Sequence, residues 1–252
     1  LLLAGHGSSK PGGDNPVHTH AEALRAGGQF AAVFEGYLKQ APLLEDVLPD
    51  ITTGELFVVP MLTGHGYITD ELIPNALSEI SDHTHIRMCD PIGCHPSTPA
   101  LLAGQIRSII DDNDLDRGTV SVLLAAHGNS NNPQSAKQVK ALAAAVGENS
   151  NGVAINAAFI EEAPFISDWH RDPGIENLIV LPFLIGGGLH GAEDVPNMIG
   201  LAPRNPALLA LGADLSVAGP LHAHDRQVWY CRTFGQAPEL AKMILDLVKA
   251  AP

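Results

Sequence analysis

The chain is written twice, and that repetition limits what it can fold into more than any other feature. Residues 1–9, LLLAGHGSS, match 122–130, VLLAAHGNS, through Ala4/Ala125, His6/His127, Gly7/Gly128 and Ser9/Ser130. Residues 56–62, LFVVPML, match 178–184, LIVLPFL, at almost the same offset. Between these, Tyr37–Pro42 corresponds to Phe159–Pro164, and later Asp90-Pro91-Ile92-Gly93 is set against Gly219-Pro220-Leu221-His222. Landmarks recurring in one order point to a duplicated domain with a boundary near Gly118. That division predicts an N-terminal domain over 1–117 and a C-terminal domain over 118–252.

Each half alternates short apolar runs with helical periodicity. In the second half, Val120–Ala125, Gly152–Phe159 and Asn177–Ile185 read as strands, with helices over Lys137–Val146 and Pro238–Ala250. The first half repeats this, with a helix and strand within Ala21–Tyr37, a strand over Leu56–Leu62 and a helix over Pro99–Asp111. Strands alternating with helices imply parallel βαβ units with right-handed crossovers. The predicted fold class is therefore α/β, with two tandem, similar, doubly wound parallel-sheet domains. Sheets of this kind bind ligands beyond the carboxyl ends of their strands.

Composition narrows the partners. Apolar residues make up 45% of the chain and charged ones 17%, enough to build a sizeable core without long disorder. A formal charge of −14 argues against nucleic acid as a ligand. No run of the ~20 apolar residues that a membrane span needs is present. Cys89, Cys94 and Cys231 are too few and too scattered for a disulfide framework, and read as reduced thiols of a cytoplasmic protein.

Twelve histidines supply the main chemical clue. His6 and His127 each follow the first strand of a half, and His65 and His190 each follow the later strand carrying Pro60 or Pro182. All four are expected on the ligand-binding edge. A lone strand-end histidine is usually a structural hydrogen-bonder, but a pair recurring at equivalent edges of two repeats favours function. Imidazole ligates divalent transition metals and accepts protons near neutral pH. His18, His20, His83, His85 and His222 are expected in solvated loops, and His95 and His224, after the last repeat match, near the site.

The succession strand-His-Gly-polar-Ser, Phe-Ile-Glu-Glu-Ala-Pro, Leu-Pro-Phe-Leu and then His-x-x-x-Asp-Val-Pro resembles the CbiX/SirB class of tetrapyrrole chelatases, once per half. The resemblance implies two similar α/β domains facing each other across a cleft. It also implies insertion of cobalt or ferrous iron into sirohydrochlorin, with histidines binding the metal and taking pyrrole protons. On that basis His127, His190 and Glu161 are the expected catalytic residues, and His127, His190, His6 and His65 the expected metal ligands. From Pro182, His190 lies eight positions on and Pro196 fourteen, whereas from Pro60 the eighth position is Ile68 and the fourteenth Pro74. Lys39 likewise stands where Glu161 does. The second half is therefore expected to hold the working site.

The resemblance implies no permanent cofactor. The metal, whether cobalt, iron or nickel, is a substrate, and the two halves can replace a homodimer, so a monomer is plausible. A polycarboxylate macrocycle needs local donors on so acidic a protein. The turn amides after His6 and His127, with Lys10, Arg171, Arg226 and Arg232, are the candidates. Two rival functions stay open: a metal or tetrapyrrole carrier or sensor, and a dinucleotide-dependent oxidoreductase. The second rests on Gly186-Gly187-Gly188-Leu189-His190-Gly191, a weak match to Gly-x-Gly-x-x-Gly that Pro196 soon follows.

Overall fold

The two repeats become one parallel sheet and one mostly parallel sheet. The computed structural model describes every residue except 9–14, 53, 79, 81–82, 131–132, 173, 189, 203–204, 213 and 252. The first sheet is built from β1 (Leu2–Gly5), β2 (Phe34–Tyr37), β3 (Glu55–Met61) and β4 (His85–Met88), in the order β2-β1-β3-β4, all parallel. Helices α1 (Pro16–Gly27), α2 (Leu44–Val47), α3 (Ile73–Leu77) and α4 (Thr98–Asp112) follow β1, β2, β3 and β4 in turn. The second sheet holds β5 (Val120–Ala126), β6 (Ala154–Phe159) and β7 (Asn177–Pro182), and ends in a hairpin of β8 (Val217–Ala223) and β9 (Arg226–Cys231). Its order is β6-β5-β7-β9-β8, with only β8 antiparallel. Helices α5 (Pro133–Glu148), α6 (Val195–Ile199), α7 (Pro206–Leu209) and α8 (Leu240–Ala250) complete the chain.

Strands buried on both faces explain the uninterrupted apolar runs, since every residue of β1 and β5 is buried. On one face of the first sheet, Leu2, Ala4, Leu56 and Val58 pack with Leu44, Val47, Ile73 and Leu77. In the second sheet, Leu123, Ala125, Leu178, Val180 and Val228 pack with Ile166, Trp169, Val195 and Ile199.

The repeat boundary near Gly118 and the compact units divide the chain differently. One unit comprises Leu1–His95 with Pro238–Pro252, and the other Pro96–Ala237. Each half thus gives its last helix to the other unit. Buried Leu102, Ile106, Ile109 and Ile110 of α4 belong to a helix packed on α5, and α8 packs against α1 and β3. The buried residues of α8, Leu240, Met243, Ile244 and Leu247, follow helical spacing. Such periodicity shows which face of a helix is apolar but not which sheet it covers.

One repeat landmark is corrected. The structural counterpart of Gly93 is Gly235, not His222. Gly93 N donates to Leu62 O and Gly235 N to Leu184 O, each at 3.0 Å. A Cβ on either glycine would collide with backbone, that of Thr63 or of Ile185. β4 therefore corresponds to β9, and Gly219-Pro220 lies on the added edge strand β8, a position that tolerates a residue without N–H. Among the described residues, no helix is long and apolar enough to cross a membrane.

Candidate functional site

The second unit gathers the expected catalytic residues at one edge of its sheet. β5 lies between β6 and β7, so the chain segments leaving these three strands emerge side by side at their carboxyl ends. His127 follows β5, Glu161 follows β6, and His190 opens a π-helical turn, His190–Asp194, after β7. The strand order reverses at β5, which is where ligands of doubly wound sheets bind.

The His127 and His190 rings meet edge to face, with centroids 4.9 Å apart and planes at 87°. His127 Nδ1 lies 3.0 Å from the Gly128 carbonyl oxygen, and Glu161 Oε2 lies 3.7 Å from the same nitrogen. His190 Nδ1 lies 2.7 Å from Asp194 Oδ2. A carbonyl or ionised carboxylate only accepts, so each contact suits the tautomer with Nδ1 as donor, in which a neutral ring carries its electron pair on Nε2. The two side chains are 44% and 45% exposed, so the pair is open to solvent.

Backbone geometry holds these groups in place. Gly128 has φ +74°, the left-handed region, and a Cβ there would stand 2.9 Å from Phe159 Cβ. Glu161 N donates to His127 O at 3.0 Å, tying the two loops together. Beneath the His190 turn, buried Tyr230 donates its hydroxyl to Gly191 O at 2.7 Å. Burial holds that phenol well above the usual tyrosine range.

The first unit keeps the backbone of this arrangement. Gly7 has φ +73°, and Lys39 N donates to His6 O at 3.0 Å. His6 Nδ1 lies 2.9 Å from Gly7 O. The π-helical turn after β3, Ile68–Leu72, puts Ile68 where His190 stands. His65 instead lies 3.4 Å through Nε2 from Asp90 and 3.9 Å through Nδ1 from Asp70. Among the described residues, no group of three or more His, Cys, Asp or Glu is gathered to hold a metal ion.

Several expectations about secondary groups are corrected. One amide of each turn proposed as an anion site already has a partner: Ser8 N donates to Gln40 Oε1 at 3.1 Å and Asn129 N to Glu162 Oε1 at 2.6 Å. Arg226 opens β9 at the amino edge, over the Trp169 ring. Arg232 is buried, with Nη1 donating to Gly212 O, and Arg171 pairs with Asp168. Lys10 lies outside the described residues. His20 is buried within α1, and His18 on the same helix pairs with Glu35. His85 lies on β4. His224, in the β8–β9 turn at the amino edge, stacks on His170 with centroids 4.2 Å apart. His95 is buried in the first unit, where desolvation lowers its pKa against the opposing pull of Asp246 on α8. Asp194, part of the quoted motif, and Tyr230 were given no role by sequence reasoning. The four-residue spacing from His190 to Asp194 on a helical turn was the available signal.

The profile of the family described as CbiX matches residues 1–109 and 121–251, nearly the whole chain in two passes. The chain belongs to the CbiX family. A probable sirohydrochlorin cobaltochelatase of Halobacterium salinarum is 27% identical over 269 residues, which cover 98% of this chain and 89% of that protein. A solved structure of CbiX, described as the terminal enzyme for biosynthesis of siroheme in denitrifying bacteria, superposes with TM-score 0.71 at 26% identity. The match covers 100% of this chain and 98% of that one. The multi-domain protein DR2241 of Deinococcus radiodurans, described as similar to chelatases, shares the fold with TM-score 0.72 at 24% identity. This CbiX-family chain covers 99% of its own length and 54% of that protein's.

Proposed function

We propose that this chain inserts a divalent metal ion into sirohydrochlorin, with cobalt preferred over ferrous iron. The observation that carries the reading is the His127–His190 pair, two imidazoles at the switch point of the second sheet whose Nδ1 contacts suit an electron pair on Nε2. The names of the cobaltochelatase relative and of the siroheme-pathway CbiX support the substrate, and the first supports cobalt.

Insertion requires the ion to lose water and two pyrrole N–H protons to leave as metal–nitrogen bonds form. His127 and His190 replace part of the hydration shell through Nε2, and as the ion passes to the macrocycle each accepts one of the two released pyrrole protons on the Nε2 so vacated. Glu161, beside His127 Nδ1, stabilises the imidazolium formed and passes the proton toward solvent. Bonds to two neutral imidazoles leave the ion exchangeable, as a substrate must be.

The test is anaerobic incubation of the purified chain with sirohydrochlorin and Co²⁺, Fe²⁺ or Ni²⁺, followed by absorbance. Catalysed insertion fastest with Co²⁺ is expected. Rates equal to the protein-free reaction with every ion would overturn the reading.

A further inference from the structure

We infer that Asp194 is a positioning residue that sets the tautomer of His190, keeping the proton on Nδ1 and the electron pair on Nε2. Its catalytic consequence rests on the chelatase reading above, while the tautomer itself does not.

Three observations carry this. First, Asp194 Oδ2 stands 2.7 Å from His190 Nδ1, and an ionised carboxylate cannot donate, so the ring nitrogen must. Second, Asp194 has helical φ and ψ, −67° and −52°, as the last residue of the π-helical turn that runs on into α6, so one continuous helical segment places it four residues after His190 on the same side. Third, the first unit carries the same π-helical turn over Ile68–Leu72, with Ile68 for His190 and Leu72 for Asp194. Histidine and carboxylate are thus replaced together, while the turn and its acid, Glu71 or Glu193, remain. An exposed ion pair retained for stability alone would contribute only about 0–1 kcal/mol, too little to explain so coupled a replacement.

The chemical need is definite. Free histidine side chains favour the Nε2–H form, which would aim a proton at an incoming ion. His127 avoids this through a backbone bond to Gly128 O, which no side-chain substitution removes. His190 has a side chain for the purpose, and that side chain is accessible to mutation.

The experiment compares wild type with Asp194→Ala and Asp194→Asn in the full chain, metal-free, at a pH where the imidazoles are neutral. Long-range ¹⁵N–¹H correlation reads the His190 tautomer, with the signal assigned by its loss in His190→Gln. Wild type should show Nδ1–H, Asp194→Ala should shift to Nε2–H, and Asp194→Asn, whose amide oxygen still accepts, should keep Nδ1–H. In the insertion assay Asp194→Ala should lose about 10–100-fold in kcat with the KM for sirohydrochlorin within about twofold, and Asp194→Asn should recover most of the loss. Retention of Nδ1–H in Asp194→Ala overturns the proposal, as does a kcat for Asp194→Asn as low as that of Asp194→Ala. A wild type without chelatase activity would defeat the functional reading alone, because the NMR result stands apart from it.

Discussion

At the carboxyl edge of β5, β6 and β7 stand His127, Glu161, His190 and Asp194, with Tyr230 beneath the His190 turn. The matching positions of the first unit hold His6, Lys39, Ile68, Leu72 and Met88. The scaffold around both sets is the same. Each has a left-handed glycine after the first histidine, a backbone bond from the next loop to that histidine's carbonyl, and a π-helical turn after the central strand. Polar groups that orient imidazole on one side are apolar or cationic on the other, and Ile68 and Met88 pack against the core. What builds the loop is therefore separable from what equips it for proton and metal chemistry.

Removing the equipment should give the largest effect. His127→Ala and His190→Ala are expected to lower insertion at least about 100-fold, the usual contribution of a positioned acid–base group. His65→Ala should leave measurable turnover, since Ile68, not His65, takes the place equivalent to His190 on the first unit's turn. Cobalt insertion followed by absorbance on folded variants decides the matter. A dead His65→Ala beside a near-normal His190→Ala would move the working site to the first unit.

The comparison can also be sharpened by transplantation. Ile68→His with Leu72→Asp re-creates the pair on the intact first-unit turn. It should raise the cobalt bound per chain by one ion in equilibrium dialysis, at a stability cost of about 1–3 kcal/mol for exchanging packed apolar groups for polar ones. Unchanged stoichiometry in a folded variant would show that the turn alone cannot orient the pair.

A smaller difference concerns stability. Burial lowers the pKa of His95, and Lys242 on α8 lowers it further while Asp246 pulls upward. The unfolded state then binds more protons than the native state. Stability is full above the unfolded value, ordinarily about 6.5, and is lost as pH falls through that value toward the lower native one. His95→Gln should flatten the slope of Tm against pH below about 6.5. An unaltered slope would exclude His95 as its source.

Strands were legible where burial on both faces makes the run apolar, as in β1, β3, β5 and β7. The β8–β9 hairpin was not, because Gly219-Pro220 imitates Asp90-Pro91 in letters while playing another part in the sheet. Strand-end position was enough to bring His127, Glu161 and His190 together. His224 was misplaced because it was aligned on that false landmark, whereas His95 follows Gly93, the true member of the pair, beside the carboxyl end of β3. The hydrogen bond from Tyr230 to Gly191 joins residues 39 apart in the chain, and no local pattern announces such a bond.

The exchange of terminal helices reverses the usual order in which a tandem protein matures on the ribosome. Domains ordinarily fold in the order they are synthesised, at about 5–20 residues per second. Here the continuous unit, Pro96–Ala237, is complete while the unit begun by Leu1 still lacks Pro238–Pro252. Until α8 emerges, the surface of α1 and β3 that it covers has no partner. The sheet of β1–β4 thus waits for a helix translated after the whole of the second unit, on the order of ten seconds or more after its own strands are made. A released chain truncated before Pro238 should carry an open apolar face on α1 and β3, the form in which a holding chaperone would find it.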